Sequence, residues 1–131
     1  MKIAFISAAQ SVHTVKWVNA LADRGHTVRL YSLSNHFNKQ GNLDFRIQVV
    51  YLRVPGFKGY FLNALQLRRD LKKFSPDIIN AHYASGYGTL ARFCGMHPLL
   101  LSVWGSDVYE FPLKGNMQKN LVDKNLKKAD A

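Results

Sequence analysis

The 131-residue sequence has one cysteine, Cys94, only 4 prolines, and 8 acidic residues against 18 lysines and arginines. A single cysteine excludes a disulfide framework and favours a reducing, cytoplasmic location. The histidines, at 13, 26, 36, 82 and 97, show no His-x-x-x-His spacing, and no Cys-x-x-Cys exists, so no metal is expected. Apolar runs are short, as in Ile47 to Leu52 with Gln48 inside it, so none can span a bilayer. "IAFIS" behind Met1-Lys2 is too brief for a signal-peptide core and no cleavage-like site follows it. Gly-x-Gly-x-x-Gly is missing, and Ala8-Ala9 cannot reach glycine-only conformations, which argues against a dinucleotide site of the usual kind. No Ser/His/Asp triad, Cys/His pair or close carboxylate pair is visible, so hydrolysis by those routes has no support.

What is present is a core-forming chain. Hydrophobic residues make up 47% of it, which rules out a disordered tail and fits one domain. Five β-prone stretches recur: "KIAFIS" (2–7), "TVRLYSL" (27–33), "FRIQVVYLRV" (45–54), "DIINAH" (77–82) and "PLLLSVW" (98–104). Most are continuously apolar, the pattern of strands buried on both faces of a parallel sheet. Helical spacing lies between them, at about Val12 to Arg24, Tyr60 to Phe74, Tyr87 to Cys94 and Met117 to Lys128. Strand–helix alternation predicts an α/β, Rossmann-like three-layer fold with a mainly parallel sheet in the order 3-2-1-4-5. "SNHFNKQGNLD" reads as a polar loop. The last predicted helix lacks a return strand, so the expectation is a fragment of a longer protein, or a half that needs another chain, with apolar surface left to self-associate.

A net charge of +10 draws a protein toward polyanions: nucleic acid, anionic headgroups or phosphorylated substrates. The basic residues gather in "LRRDLKK" (67–73) and in 114–128 rather than interleaving with aromatics, so nucleic acid is not the expected partner.

In the predicted order, three loops meet at the carboxyl edge of the sheet, where such folds bind ligands. The first, Ser7 to His13, presents backbone N–H groups and a helix start suited to an anion; Ser7 and Gln10 belong to it, and His13 faces either the crevice or open solvent. The second, His82 to Gly88, contains Ser85, Gly86 and Tyr87; its glycines serve either close ligand approach or helix–strand packing. In the third, Trp104-Gly105-Ser106-Asp107, a carboxylate, a hydroxyl and an indole suit a polyhydroxylated ligand, or else Asp107 or Ser106 caps a helix. Cys94 reads as a packed helix residue.

Taken in order, "MKIAFIS…SVHTVKWVNALADRGHTVRLYSL", "PDIINAHYASGYGTLARFCG" and "LLLSVWGSDVYEFP" resemble the N-terminal half of a bacterial GT-B glycosyltransferase of the retaining family 4. The resemblance implies that residues 1–131 are the acceptor-side domain of a two-domain hexosyltransferase, the donor-binding domain lying outside this sequence. It implies a nucleotide-sugar donor, a glycan or lipid-linked acceptor in polysaccharide synthesis, and no metal or other cofactor; the +10 charge adds an anionic surface at the inner membrane face as a further expected partner. The isolated chain is expected to be inactive. Ser7 to Ser11 matches the loop that approaches donor phosphates, with alanines where glycines are common. Trp104 stands where a histidine is frequent, so the histidine's role does not transfer. The alternative expectation is a non-catalytic, membrane-recruiting or regulatory subunit that pairs with a separate donor-binding chain.

Overall fold

A computed structural model describes all residues from Met1 to Ala131. Five parallel strands form one sheet: β1 (Lys2–Ile6), β2 (Thr27–Leu33), β3 (Gln48–Leu52), β4 (Ile78–His82) and β5 (Leu99–Ser102). Their order is β3-β2-β1-β4-β5, the order predicted from the sequence. The helices are α1 (Val12–Asp23), α2 (Gly59–Leu62), α3 (Ala64–Phe74), α4 (Gly86–Cys94), α5 (Ser106–Tyr109) and α6 (Asn116–Lys128). None is long and apolar enough to cross a membrane.

The continuous apolarity of the strands follows from a core on each face. In β1, Ile3 and Phe5 join Val18 and Ala22 of α1, while Ala4 and Ile6 join the opposite cluster with Leu67, Leu71 and Leu90. β2 alternates in the same way, Val28 and Leu30 toward α1 and Tyr31 and Leu33 away from it. Each strand therefore needs an apolar residue at nearly every position.

One expectation is corrected. The helix predicted over Tyr60 to Phe74 is two helices, because Asn63 binds the backbone of Val54 twice, donating to its carbonyl at 2.8 Å and accepting from its N–H at 3.0 Å. That staple holds the turn after β3 against the break. As expected, no strand follows α6, although the last residues turn back onto the β5 edge: Ala131 accepts from the Leu101 N–H at 2.9 Å, and its own N–H donates to Leu99 at 3.3 Å.

Candidate functional site

The parallel order brings the ends of β1, β4 and β5 side by side, so the three loops singled out in the sequence share one rim. At their meeting point is an aromatic stack. The exposed His13 ring lies on Trp104 with centroids 4.6 Å apart and planes 29° from parallel. Through its edge Trp104 reaches His82, donating its indole N–H to Nδ1 at 3.1 Å, and His82 rests on Phe5 at 4.4 Å.

The chemistry of His82 follows from these partners. An indole can only donate, so Nδ1 must accept, and the ring is held neutral with its proton on Nε2. Burial, and then the neighbouring His13, lower its pKa to about 4, which favours the same neutral form. His82 is only 2% exposed. No hydrogen bond engages Nε2, yet no buried side-chain nitrogen or oxygen lacks a partner, so Nε2–H reaches solvent at the rim. The adjoining Tyr83 holds φ at +72°, a left-handed conformation that strains a bulky residue and turns the chain abruptly out of β4.

Asp107 does something different from what the sequence suggested. α5 turns its carboxylate inward, where one oxygen accepts from the Ala84 N–H at 2.6 Å and the other from the Trp104 N–H at 2.9 Å. It is 2% exposed, and it ties the loop after β5 to the loop after β4 rather than facing the rim. Gly105 takes φ of +105° to start that turn, and Ser106 stays exposed.

Tyr87 also points inward. Its hydroxyl accepts from the Leu33 N–H at 3.2 Å and meets His36 Nδ1 at 2.5 Å, and burial pushes its pKa well up. The hydroxyl is thus a fixed link to the end of β2. Gly86 serves packing, since a Cβ there would stand 2.4 Å from the Tyr60 ring. Ser85 is half-buried and lines a small apolar pocket of about 130 Å³ with Gly86, Tyr60, Phe61 and Phe111.

In the first loop the free amides expected from the sequence are largely taken up. The N–H groups of Ser7, Ala9, Gln10 and Ser11 donate to Tyr31, Ser32, His36 and Ala8. Ser7 is buried, its hydroxyl 2.7 Å from that of Thr14, while the Gln10 side chain is exposed. A larger depression runs along the outer face of α1 from His13 to Arg24; only His13 belongs to the stack.

One important residue gave no signal in the sequence. Buried Asn125, on α6, donates to the carbonyl of Ala84 at 2.7 Å and to the Thr89 hydroxyl at 2.8 Å, and accepts from Arg92 at 2.7 Å. It fixes the loop after β4 from behind, 41 residues away in sequence.

This geometry can be set beside known proteins. A sucrose-phosphate synthase from Thermosynechococcus elongatus shares the fold, with a TM-score of 0.73 at 14% identity over 99% of this chain. The chain spans 41% of that protein's length. No curated protein sequence matches. The glycosyl transferase 4-like family, in contrast, matches residues 2–131, the whole sheet and all three rim loops. The chain belongs to the glycosyl transferase 4-like family.

Proposed function

We propose that residues 1–131 are the acceptor-binding half of a two-domain, retaining hexosyltransferase. It transfers a sugar from a nucleotide-sugar donor to a glycan or lipid-linked acceptor, in polysaccharide synthesis on the cytoplasmic side of a membrane. The observation that carries this reading is the His13–Trp104–His82 stack at the rim. Transfer forms a bond between an acceptor hydroxyl oxygen and the anomeric carbon while the bond to the diphosphate breaks, and the hydroxyl proton is released. The step gains most from holding the acceptor hydroxyl in line and from stabilising the departing diphosphate. Trp104 offers a flat apolar surface to sugar C–H groups, and the Nε2–H of neutral His82 donates to a sugar oxygen. Gln10, exposed on the first loop, and half-buried Ser85, on the second, are further polar side chains of the rim loops. Asp107, Tyr87 and Gly86 hold the rim in shape. In this reading the chain uses no metal, and the donor half supplies the diphosphate contacts.

Two measurements test it. Replacing Trp17 by Phe leaves Trp104 as the only indole. Titration of that variant with octyl glucoside below its micelle concentration is expected to change Trp104 emission saturably, and His82→Ala is expected to abolish the change. An emission unaffected by the glucoside overturns the acceptor role. The isolated chain given a radiolabelled nucleotide sugar and the glucoside is expected to make no product; transfer by it overturns the assignment of donor contacts to another domain.

A further inference from the structure

The apolar pocket that adjoins the second rim loop is assembled from distant parts of the chain. Its rings are Phe57 ahead of α2, Tyr60 and Phe61 within α2, and Phe111 between α5 and α6; Leu121 of α6 completes the apolar lining. α4 packs against both α2 and α6, so these side chains meet at the start of α4, beside Ser85 and Gly86. Phe57 and Phe61 stand edge to face at 5.5 Å, and the Tyr60 ring stands on edge to Tyr87 at 5.3 Å. Of the Tyr60 ring atoms, the carbon bearing the hydroxyl comes closest to Gly86, so the phenol end of Tyr60 lies against the rim loop.

The polar groups of the pocket are few, and they gather on that same side. The Thr89 hydroxyl is spent within the protein, donating to the Ser85 carbonyl at 2.6 Å and accepting from Asn125 at 2.8 Å. The Tyr60 and Ser85 hydroxyls bond to no protein atom, and no buried side-chain oxygen lacks a partner, so both are open to solvent. No lysine, arginine, histidine or carboxylate lines the pocket. The charged residues nearest to it in sequence, Lys58, Glu110 and Lys114, are exposed, the Lys114 ammonium lying 5.6 Å over the Phe111 ring.

We propose that this pocket is a subsite for the aglycone of the acceptor, a neutral apolar group of about six carbons joined to the sugar held at the rim. Its volume of about 130 Å³ fixes the size, since apolar cavities of about 150 Å³ admit a benzene ring. The uncharged lining fixes the chemistry: a phosphate would find no cation there, whereas an alkyl or aryl group finds four rings and a leucine. Continuity with the rim fixes the connection. Asp107 binds the backbone of Ala84 and of Trp104, so Ser85 follows directly on a residue tied to the Trp104 loop. The two free hydroxyls stand where the apolar group gives way to the sugar. The assignment rests on the proposed acceptor role of the rim.

The test compares methyl glucoside with hexyl glucoside below its micelle concentration, in the Trp17→Phe chain with leucine methyl groups carbon-13 labelled. Trp104 emission reports the rim, and the Leu121 methyl resonances report the pocket. Five further CH2 groups at about fourfold each, less the ordering of the chain, make hexyl glucoside bind roughly a hundredfold more tightly than methyl glucoside. That preference is expected to be unchanged by salt, and Leu121 is expected to shift with hexyl glucoside alone. Leu121→Phe, which fills the pocket, and Phe57→Ala, which opens it at an exposed ring, are each expected to bring hexyl glucoside close to methyl glucoside and leave the latter's affinity unchanged. Phe57→Ala keeps the test open should Leu121→Phe not fold. Equal affinities for the two glucosides, or a Leu121 signal indifferent to hexyl glucoside, overturn the subsite while a responding Trp104 leaves the proposed function standing. A Leu121 shift with Trp104 silent means that the pocket takes apolar groups unconnected to the rim; it overturns the acceptor reading and the aglycone assignment with it.

Discussion

The turn after β5 and the end of β4 each contain a side chain with 2% exposure, Asp107 and His82, and the two are put to opposite uses. Both oxygens of Asp107 are taken up by backbone N–H groups of the protein. His82 has one nitrogen engaged by Trp104 and its other left toward solvent. The same burial thus yields a clamp in one case and a presented donor in the other. What separates them is not depth but how many of a group's hydrogen-bonding positions the fold consumes.

Breaking the clamp gives the largest effect. Asp107→Ala removes two charge-assisted bonds and strands two buried N–H groups, so a loss of about 3 kcal/mol in urea unfolding is expected. Asp107→Asn keeps one acceptor oxygen and should lose roughly half as much. If Asp107→Ala unfolds at the wild-type urea midpoint, the clamp is not a clamp and its carboxylate is available to a ligand.

The presented residue gives a smaller, pH-dependent signal. Unfolded His82 takes up a proton near the ordinary histidine value, about 6.5, whereas folded His82 resists protonation down to about 4. The unfolded state therefore binds more protons in that interval, and stability declines as pH falls from 6.5 toward 4. Above 6.5 this contribution is flat. His82→Gln is expected to show a shallower decline between pH 7 and 5 by urea midpoints. Parallel curves for the variant and the wild type would mean that His82 is not held neutral.

This contrast also marks what could be read from the sequence. The strands and their order were legible because β1 and β2 must be apolar on alternate sides for two separate cores. The three rim loops were legible because a 3-2-1-4-5 order gathers them on one edge. The direction of Asp107 and Tyr87 was not. The sequence shows a loop at 104–108, but a single helical turn rotates Asp107 toward Ala84, 23 residues away. Tyr87 is claimed by the Leu33 N–H, 54 residues away, and nothing local signals that. The split at Asn63 was hidden for the same reason, since periodicity sees spacing and not a side chain that leaves its helix to bind Val54.

The smallest effect sharpens the comparison from the exposed side. His13 stacks on Trp104 but makes no hydrogen bond to it, and its ring is open to solvent. His13→Ala removes a contact that the fold does not depend on, so stability should change by no more than about 0.5 kcal/mol. In the Trp17→Phe background the same change should shift Trp104 emission to the red, because one face of the indole is newly wetted. It should also weaken the octyl glucoside response without abolishing it, since the Trp104–His82 bond remains. A large loss of stability would make His13 a structural residue like Asp107, and the distinction between clamp and presented surface would then fail at the first loop.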